Sequence, residues 1–372
     1  MAFRVLLVGG GSGGHVYPLV AVARALKKQD PNVRVKLMGD GPFVARAAKG
    51  ADLPFTGIIA PKLRRYSSAS NVMDLFKAPL ALVQSLWKVF WFMPDAVFAK
   101  GGYTSVFPVL AARLYMIPVY LHESDSVPGM GNRILAKRAK LIFTAFEKAN
   151  QVFAGFPTML VGNPVRKDLA GLDRDASRTA FSLATDKATI LVIGGSQGAK
   201  QINGVVIEGL VQLMQAGYQI IHQCGDTNYQ EVTAAVEQVI AEGDESYGKL
   251  IKEQYRAYPF LDGQQLATAY AACDVAITRA SANVLTELAS IGKPMIVVPL
   301  ASAAQNHQAE NALELTRYGG VVISGANLTP HLLMQELSSL LVPQRYEKVS
   351  ASLKAFAKPD AADHIARTIL NG

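Results

Sequence analysis

The sequence predicts an α/β protein with two domains, each built on a parallel β-sheet. Its 372 residues exceed twice the ~150 residues expected of a single domain. Short apolar runs alternate with longer amphipathic stretches, which is typical of βα units in a parallel sheet. Near residue 188 the alternation starts again, and a glycine-rich turn again follows the first apolar run. The chain therefore holds two similar βα arrays.

In the N-terminal half, each apolar run predicts a strand and each amphipathic stretch predicts a helix. The predicted strands are 3–8, 33–38, 96–99, 118–121 and 141–144, and the clearest predicted helices are 17–28, 72–92 and 105–115. The polar stretch 163–182 predicts a hinge. We therefore expect a first domain at residues 1–162.

The C-terminal half repeats this pattern. Strands are predicted at 188–193, 218–223, 249–251, 275–278, 295–298 and 321–323, and helices at 199–215, 229–241, 284–291 and 308–317. We expect a second domain at residues 163–344. The tail 345–372 has a helical pattern and is a candidate to complete the first domain.

Composition excludes several classes of protein. Half of the residues are hydrophobic and 18% are charged, so the chain can bury a large core and is not disordered. Cys224 and Cys273 are too few for a disulfide framework or a four-cysteine zinc site. The N-terminus lacks a signal-peptide pattern. The apolar segment 72–93 is interrupted by three charged residues and a glutamine, so we expect no membrane-spanning helix.

Positive charge is concentrated in the first half of the chain. Residues 1–168 contain 22 Lys and Arg against 9 Asp and Glu, a net charge of +13, whereas residues 169–372 carry −5. A basic half predicts a polyanionic partner, such as anionic lipid, nucleic acid or a phosphorylated substrate. The alternative is that the charge only solubilises a surface. No aromatic-basic binding motif supports nucleic acid, which we do not expect as a partner.

Each half opens with a strand, a glycine turn and a helix start. The turns are Gly-Gly-Gly-Ser-Gly-Gly at 9–14 and Gly-Gly-Ser-Gln-Gly-Ala at 194–199. Free backbone N–H groups and the positive helix end bind anions, and glycine lets the backbone approach them closely. The two turns predict either two phosphate-bearing ligands or one dinucleotide between them.

The first turn also fits a dinucleotide site. Gly9, Gly11 and Gly14 match G-x-G-x-x-G, and Asp40 follows the next strand, where such a fold places its acid. This pattern alone would favour a NAD-dependent dehydrogenase. However, His15 directly follows the last glycine, and an imidazole at this position suits acid–base chemistry better than dinucleotide binding.

The segment Gly-Gly-Ser-Gly-Gly-His-Val-Tyr-Pro at 10–18 resembles the first glycine loop of the MurG family. Further family motifs follow in order: GGYTS at 101–105, HE at 122–123 through PG at 128–129 to NR at 132–133, GNPVR at 162–166, GGSQGA at 194–199, the run from TRA at 278–280 to Glu287, PL at 299–300 and HQAENA at 307–312. The resemblance covers roughly residues 4 to 320.

The resemblance implies a GT-B fold, in which two Rossmann-like domains with parallel sheets face a central cleft. It implies an inverting glycosyltransferase that moves N-acetylglucosamine from UDP-GlcNAc to the C4 hydroxyl of lipid I, forming lipid II in peptidoglycan synthesis. The enzyme would work at the cytoplasmic face of the inner membrane as a peripheral protein with an anionic membrane surface as partner. It would serve cell-wall biogenesis, cell shape and division, with other cell-wall synthesis proteins as candidate partners.

The resemblance also implies site residues. The implied contacts to the diphosphate, uracil, ribose and sugar are Arg166, Ser196, Leu261, Ala282, Asn283, Val284, Leu285, Thr286, Glu287 and Gln308. In the first domain the positions that would touch the donor sugar are Ser12, Gly13, Gly14 and Asp125. The candidates for the catalytic base are His15 and Glu123.

The residues themselves agree with several of these roles. A carboxylate such as Glu287 accepts hydrogen bonds from two adjacent hydroxyls, as ribose offers, and the guanidinium of Arg166 could clamp a diphosphate. The alternatives are an exposed helix glutamate, a surface arginine and, for Ser196, a helix cap. For His15 the alternative is packing at a helix start, and for Glu123 it is pairing with the neighbouring His122.

The chain departs from the family pattern at five positions. Members usually have His-Glu-Gln-Asn where this chain has Ser124 and Asp125 after His-Glu, so an amide donor becomes a carboxylate. Ser281 replaces a glycine, Val284 replaces a threonine, and His307 replaces the first of two glutamines. These changes bear on the choice of donor sugar and on turnover, and they motivate the hypothesis of a non-catalytic paralogue. A UDP-sugar 2-epimerase and a diacylglycerol glycosyltransferase are competing hypotheses on the same fold.

No metal or other cofactor is expected. Many sugar-nucleotide transferases hold a metal with Asp-x-Asp, and the nearest such pair here, Asp173 and Asp175, lies in the polar hinge. Helix ends and Arg166 could stabilise the leaving diphosphate without a metal.

The helix predicted at 72–92 raises the question of membrane binding. The predicted membrane patch consists of Leu75, Leu80, Trp87 and Trp91 with Arg64 and Arg65 at its rim. An apolar patch with a basic rim is typical of proteins that rest on anionic lipid. The alternative is a core helix with one polar stripe formed by Lys77, Ala81, Gln84 and Lys88.

Overall fold

The computed structural model describes residues 2–10, 13–61, 69–194, 198–300 and 306–372, without the side chains of residues 13–15, 69–75 and 167. The chain divides into two compact units. Residues 1–166 and 358–372 form the first unit, and residues 167–357 form the second. Two segments differ from the predicted domain limits, since 163–166 belong to the first unit and 345–357 to the second.

The first unit is built on a parallel sheet. Its strands are β1 (Arg4–Val8), β2 (Arg34–Gly39), β3 (Phe55–Gly57), β4 (Ala96–Ala99), β5 (Val119–Glu123), β6 (Leu141–Thr144) and β7 (Thr158–Leu160). Within the described residues they lie in the order β3-β2-β1-β4-β5-β6-β7. The short strands β3 and β7, which the sequence analysis did not predict, extend the two edges of this sheet.

Helices cover both faces of this sheet. They are α1 (Gly13–Gln29), α2 (Pro42–Gly50), α3 (Ala69–Phe92), α4 (Val106–Leu114), α5 (Met130–Leu135) and α6 (Glu147–Val152). Successive strand residues point to opposite faces. Accordingly, Val5 and Leu7 of β1 pack in one core with α1, whereas Leu6 and Val8 pack in the other core.

The second unit repeats the architecture. Its strands are β8 (Thr189–Ile193), β9 (Gln219–Gln223), β10 (Tyr255–Tyr258), β11 (Val275–Thr278), β12 (Met295–Val297) and β13 (Val321–Val322). In the described part of the chain they form a sheet in the order β10-β9-β8-β11-β12-β13. The pairings are parallel.

The helices of the second unit connect these strands. They are α7 (Arg174–Ala180), α8 (Lys200–Glu208), α9 (Leu210–Gln215), α10 (Tyr229–Glu242), α11 (Glu245–Gln254), α12 (Gly263–Ala272), α13 (Ala282–Ser290), α14 (His307–Thr316), α15 (Pro330–Leu340) and α16 (Pro343–Ala357). The helix predicted at 199–215 is two helices, which meet at Gly209. The polar stretch 163–182 is not only a hinge, because α7 forms within it.

The strand predicted at 249–251 is wrong. These residues lie in α11, whose N-terminus is capped by Asp244 through a 3.2 Å hydrogen bond from the Ser246 N–H. Ile251 is buried on the inner face of this helix. Two apolar residues, Leu250 and Ile251, could not distinguish one buried helix face from a strand, and the true strand is the next segment, β10.

The predicted C-terminal tail divides between the units. Helix α16 packs on α13 in the second unit, whereas α17 (Ala361–Leu370) packs on α1 in the first. Ile365 and Ile369 of α17 are fully buried in the same core as Leu19 and Leu26 of α1. The chain therefore returns to complete the first unit only from residue 358 onward.

Strand order changes direction between β1 and β4 in one sheet and between β8 and β11 in the other. In open α/β sheets, ligands bind beyond the carboxyl ends of the strands at such a switch point. These two edges are therefore where a functional site is expected.

Candidate active site

The carboxyl ends of β1, β4 and β5 lie side by side in the first unit. Gly9 follows β1, Lys100 follows β4, and Glu123 is the last residue of β5. Of the described residues predicted for the first unit, those that lie at or shortly after these strand ends are Gly13, Gly14, Glu123 and Asp125.

The first glycine loop joins β1 to α1. Of the predicted contacts, Ser12 lies outside the described residues, and Gly13 and Gly14 form the first turn of α1. His15 also lies in this turn, and its side chain is outside the described part of the molecule. A Cβ atom on Gly10 would lie 2.9 Å from Oγ1 of Thr104. Since real Cβ contacts are longer, a side chain here would require the buried Thr104 side chain or the loop to shift.

Lys100 is a buried cation at this edge that the sequence analysis missed. Its side chain is 1% exposed. Its Nζ lies 2.8 Å from Nδ1 of His122 and donates to Oγ of Ser124 at 2.5 Å and to Oδ1 of Asn163 at 3.4 Å. An ammonium group has three N–H donors, which match these three acceptors. Burial lowers the pKa of Lys100 to about 7.

His122 is held neutral between two partners. Because Lys100 donates to Nδ1, the ring proton lies on Nε2, which donates to the carbonyl of Gly162 at 2.9 Å. Burial, and secondarily the charge of Lys100, lowers its pKa well below the ordinary value. The alternative that His122 pairs with Glu123 is wrong, because both ring nitrogens have other partners.

Glu123 organises the loop that follows β5. Its Oε1 accepts from the N–H of Asp125 at 3.1 Å, and its Oε2 accepts from the N–H of Gly129 at 3.0 Å and from Nδ2 of Asn132 at 2.9 Å. Burial raises its pKa to about 7, and the nearby carboxylate of Asp125 adds to this effect. A carboxylate can accept all three of these hydrogen bonds, and each bond fixes part of the loop.

Arg166 is buried rather than on the surface. Its side chain is 7% exposed, and its guanidinium carbon lies 4.9 Å from the centre of the Tyr17 ring. Such cation–π contacts orient an arginine while leaving its N–H edge available for hydrogen bonds. The interpretation of Arg166 as a solvated surface arginine is wrong.

The second glycine loop follows β8. Ser196 lies outside the described residues, whereas Gly194 and Gly198 lie within them. Gly198 has a φ of +69°, and a Cβ atom there would lie 2.0 Å from the carbonyl oxygen of Cys224. Both the backbone angle and the close approach require glycine.

Helix α13 begins directly after β11, and the predicted segment from Ala282 to Glu287 forms its first turns. Its free N-terminal N–H groups and positive end lie at the carboxyl edge of the sheet, where they suit a diphosphate. Ser281, which replaces the family's glycine, has φ −74° and ψ 119°. Any residue adopts these angles, so the replacement does not strain the loop.

The side chains of this segment differ in what they can contact. Leu285 is fully buried and Thr286 is 3% exposed, and Oγ1 of Thr286 donates to the carbonyl of Ala282. Val284 is partly exposed. Oδ1 of Asn283 is buried without a hydrogen-bond partner among the described residues, which makes it a polar group that a ligand could satisfy.

Glu287 is a buried glutamate, 9% exposed. Its Oε2 accepts a hydrogen bond from the hydroxyl of Tyr270 at 3.0 Å. The alternative of an exposed helix glutamate is therefore wrong. Tyr270, on α12, orients this carboxylate, and nothing in the sequence pattern had indicated the tyrosine.

The remaining predicted donor contacts follow two other strands of the same sheet, β10 and β12. Leu261 follows β10, is 1% exposed, and donates its N–H to Oε1 of Gln223 at 3.3 Å. Gln308 lies in the first turn of α14, and its Oε1 accepts from the N–H of Leu300 at 3.0 Å. The fold thus brings Leu261, Glu287 and Gln308 to one edge of the second sheet.

Helix α3 carries the predicted membrane patch. Leu80, Trp87 and Trp91 are 61%, 63% and 68% exposed. The other large apolar side chains exposed on this helix are Phe76, Val83 and Phe90. Arg64 and Arg65 lie outside the described residues, and so does the side chain of Leu75.

The alternative interpretation places a polar stripe, formed by Lys77, Ala81, Gln84 and Lys88, on the outside of α3. Most of this stripe faces the rest of the first unit. Ala81 is fully buried, Oε1 of Gln84 accepts from the N–H of Ile59 at 2.7 Å, and Lys88 donates to the carbonyl of Gly57. Lys77 is exposed. The interpretation of α3 as a core helix with a polar outer stripe is wrong, because its large apolar side chains are outside.

The described part of the chain contains neither a membrane span nor a metal cluster. None of the described helices is long and apolar enough to cross a bilayer. The described residues contain no cluster of three His, Cys, Asp or Glu side chains that could hold a metal. Asp173 caps α7 by accepting from the N–H of Ala176 at 2.7 Å, and Asp175 pairs with Arg174.

Comparison with known proteins agrees with this geometry. The N-terminal domain of glycosyltransferase family 28 matches residues 5–144, and its C-terminal domain matches residues 189–365. The UDP-N-acetylglucosamine--N-acetylmuramyl-(pentapeptide) pyrophosphoryl-undecaprenol N-acetylglucosamine transferase of Christiangramia forsetii is 34% identical, over 97% of this chain and 95% of the relative. The transferase of the same name from Moorella thermoacetica is also 34% identical, over 99% and 98%.

Solved structures show the same architecture. The crystal structure of Acinetobacter baumannii MurG covers all of both chains with a TM-score of 0.72 and 28% identity. A UDP-GlcNAc 2-epimerase from Neisseria meningitidis, solved with UDP-GlcNAc bound, has a TM-score of 0.73 but 13% identity over all of both chains. The second likeness concerns the fold alone.

Two Rossmann-like units, each with a glycine loop and a helix start at its switch point, define a glycosyltransferase of the GT-B fold. Within that class, the chain is more than 30% identical to the two named transferases over nearly its full length, which shows its family. The chain belongs to the MurG family of glycosyltransferase family 28.

Proposed function

We propose that this protein transfers N-acetylglucosamine from UDP-GlcNAc to an undecaprenyl-pyrophosphoryl N-acetylmuramyl-pentapeptide, which converts lipid I to lipid II in peptidoglycan synthesis. The observation that carries the proposal is its 34% identity, over 97% of the chain, to a transferase that bears this activity in its name. The two anion-binding edges described above suit a substrate pair in which both members carry a diphosphate.

The second unit binds the donor in this proposal. The N-terminus of α13 and the second glycine loop hold the diphosphate, with Arg166 as a further cation. Glu287, oriented by Tyr270, accepts hydrogen bonds from the ribose hydroxyls. Leu261 contacts uracil, and Gln308 contacts the sugar. The negative charge of UDP is then met by helix N-termini and a guanidinium.

The reaction is a single displacement with inversion. The C4 hydroxyl of the muramyl sugar attacks the anomeric carbon of the donor, while the bond from that carbon to the β-phosphate oxygen breaks and UDP leaves. A base accepts the hydroxyl proton, and His15 is our first candidate because it follows the first glycine loop. Glu123 is the second candidate, although three of its lone pairs already accept hydrogen bonds.

Helix α3 docks the protein on the membrane that carries the acceptor. Its row of exposed apolar side chains includes two tryptophans, which are favoured at the interface between lipid and water. The first half of the chain carries +13 net charge, which attracts an anionic lipid surface. We place the protein as a peripheral protein on the cytoplasmic face of the inner membrane.

The proposal is tested by incubating the purified protein with UDP-GlcNAc and a lipid I analogue. We expect UDP release together with a lipid-linked disaccharide, and neither product without the acceptor. Arg166→Ala should lower both UDP affinity and turnover. An intact donor with both substrates bound would overturn the proposal in favour of a non-catalytic paralogue. Isomerisation of the donor without acceptor would instead indicate an epimerase.

A further inference from the structure

A buried chain of hydrogen bonds in the second unit ends beside the second glycine loop. Nδ1 of His222 lies 2.7 Å from the hydroxyl of Tyr255, and Nε2 lies 3.0 Å from Oδ1 of Asn203. Nδ2 of Asn203 then donates to the carbonyl of Cys224 at 3.0 Å. All four residues are buried. This chain, the His222 chain, links β10, β9 and α8.

The direction of each bond in the His222 chain follows from its last member. A carbonyl oxygen only accepts, so the atom of Asn203 that faces Cys224 is its amide nitrogen, and Oδ1 faces His222. Nε2 of His222 therefore carries the ring proton and donates it to Oδ1. Nδ1 carries no proton and accepts from the hydroxyl of Tyr255. Because burial lowers the pKa of His222 to about 3, the ring is neutral at physiological pH.

The carbonyl of Cys224 is the contact between this chain and the glycine loop. A Cβ atom on Gly198 would lie 2.0 Å from that oxygen, so the backbone at the end of the loop lies directly against it. Nδ2 of Asn228 also donates to this carbonyl, at 3.0 Å. Two side-chain donors hold the oxygen in place, and the oxygen limits how closely the end of the loop approaches β9.

Asn203 also closes the first turn of α8. Its N–H donates to the carbonyl of Ala199, the residue before the helix, at 2.9 Å. The N–H groups of residues 200–202 come before this bond and have no acceptor within the helix. An alanine at the N-cap offers no side-chain oxygen to them, so they suit an anion. Asn203 thus fixes both the start of α8 and, through Cys224, the end of the loop.

We propose that His222 is a positioning residue for the diphosphate of the donor, because it orients Asn203, which holds the start of α8 and the end of the glycine loop with their N–H groups toward the phosphates. This inference rests on the proposed function, in which this loop binds the diphosphate of UDP-GlcNAc. His222 is fully buried and touches no substrate. Donors that are fixed in advance bind an anion without a further cost of ordering.

The role is tested by the ratio of the affinities for UDP and uridine, since these ligands differ only in the diphosphate. Calorimetry measures UDP binding, and competition with UDP measures uridine binding. His222→Leu should lower the ratio at least about tenfold, because misplaced donors lose the phosphates while the nucleoside contacts remain. His222→Gln should recover part of the ratio, since its amide, like the neutral imidazole, offers both a donor and an acceptor.

A matched control separates positioning from general destabilisation. Leu213 is buried in α9, which ends shortly before β9 and therefore lies near the opposite edge of the same sheet. Leu213→Ala should lower the unfolding temperature by leaving a cavity. It should leave the ratio of UDP to uridine affinity unchanged, because it does not touch the His222 chain.

Two further measurements do not require His222→Leu to fold. Tyr255→Phe removes one hydroxyl from the chain and should lower the affinity ratio about threefold. In wild-type protein with ¹⁵N-labelled histidine, the His222 signals should show a protonated Nε2 and an unprotonated Nδ1. These signals, which are identified by their loss in His222→Gln, should not titrate between about pH 5.5 and pH 8.

The results separate this inference from the proposed function. The positioning role would be overturned by an unchanged ratio in folded His222→Leu or Tyr255→Phe, by equal losses in His222→Leu and His222→Gln, by an equal fall in Leu213→Ala, or by a His222 ring protonated on Nδ1. UDP binding and turnover of the wild type would persist in each case. A wild-type protein that binds UDP no more tightly than uridine would overturn the donor site of the proposed function, and this inference with it.

Discussion

Polar side chains at the two sheet edges are buried together with partners that fix them. Tyr270 holds Glu287, Tyr17 lies against Arg166, and Lys100 holds His122. Such contacts keep a site in its binding geometry before the substrate arrives, which reduces the cost of ordering it on binding. At the residue scale, the predictions concern how much individual side chains contribute to UDP affinity and to turnover.

Glu287→Ala should weaken UDP binding by about 10- to 100-fold, because it removes a charged acceptor worth ~1.5–3 kcal/mol. Tyr270→Phe removes only the 3.0 Å bond that orients the carboxylate, so we expect a smaller loss. Isothermal calorimetry with UDP measures both. Glu253→Ala, an exposed glutamate of α11, serves as the control. Unaltered UDP affinity in the Glu287 variant would remove the ribose assignment.

His15→Ala should lower turnover by ~10²–10⁴-fold if the imidazole is the general base. UDP affinity should remain close to that of the wild type, since the base contacts the acceptor. His15→Gln should not rescue turnover, because an amide cannot accept the proton. Steady-state kinetics with a lipid I analogue measures both variants. Partial rescue by glutamine with a raised acceptor KM would indicate phosphate binding, and normal turnover in both would shift the role to Glu123.

At the scale of elements, α3 differs from an ordinary surface helix. Its polar side chains contact the protein, whereas its large apolar side chains face solvent. Gln84 and Lys88 bond the backbone of the segment around β3, while Trp87 and Trp91 project outward with their rings 5.6 Å apart. Partly exposed polar groups that also have hydrogen-bond partners cost little. The helix can therefore be stable in water while it presents a large apolar surface.

Trp87→Glu combined with Trp91→Glu should reduce binding to anionic vesicles at least about tenfold, because it places charges in the inserted face. Wild-type binding should also weaken with salt, since exposed charges are screened over ~10 Å at 0.1 M. Vesicle co-sedimentation measures both effects. Leu313→Glu, exposed in the second unit, is the control. Thermal unfolding should be little changed, and a double variant that fails to fold would instead favour a core role for this helix.

Helix α7 depends on a buried ion pair. Nη2 of Arg178 lies 2.5 Å from Oδ2 of Asp274, and its Nε donates to the carbonyl of Ala272 at 3.1 Å. Arg178 is 2% exposed. Arg178→Met should lower the free energy of unfolding by ~3–5 kcal/mol, because it removes the nearer cationic partner of a mostly buried aspartate.

Urea denaturation measures this loss. Asp274 lies before β11, at the edge of the sheet opposite the candidate site, so UDP affinity in folded Arg178→Met should equal that of the wild type. Arg174→Met, on the same helix, removes only a 4.0 Å contact from an exposed side chain to Oδ1 of Asp274 and should cost far less stability. A weakened UDP affinity in the Arg178 variant would mean that the two edges are coupled.

At the scale of the whole molecule, the chain builds one architecture twice and gives the two copies different charges. The net charge of +13 in residues 1–168 against −5 in the remainder suits a first unit that meets an anionic surface. Buried ionisable groups at the first sheet edge also make the stability of the protein depend on pH.

Above neutral pH, Lys100 determines whether the stability of the protein rises or falls with pH. Its pKa is lowered from 10.5 to about 7 in the folded state. Between these values the unfolded chain binds a proton that the folded chain does not, so stability rises with pH. The raised pKa of Glu123 and the lowered pKa of His122 act in opposite directions at lower pH, so the informative window lies above about pH 7.

The difference in unfolding free energy between wild type and Lys100→Met should therefore increase from about pH 7 to about pH 9.5. Groups elsewhere in the chain cancel in this difference. Urea denaturation at several pH values measures it, and Lys49→Met, at an exposed lysine in α2, is expected to give no trend. A difference that is independent of pH would contradict a buried lysine with a lowered pKa.

The sequence by itself determined the class of fold and most of its elements. Apolar runs of four to six residues predicted β1, β4, β6, β8 and β11 to within one residue at each end, because buried parallel strands are apolar on both faces. The glycine loops and family motifs also indicated the two sheet edges that we propose bind the substrates. The strands β3 and β7 were missed because Phe-Thr-Gly and Thr-Met-Leu each include a polar residue or glycine and are not continuous apolar runs, unlike the similarly short β12 and β13.

Only the tertiary structure decided which polar residues meet. Lys100, Tyr270 and Tyr17 lie far in sequence from Ser124, Glu287 and Arg166, so no local pattern could pair them. The inward polar face of α3 was also beyond sequence reasoning, because its partners are backbone groups near Gly57 and Ile59. Local periodicity determines which residues form an element, whereas charge, burial and orientation depend on neighbours that only folding brings into contact.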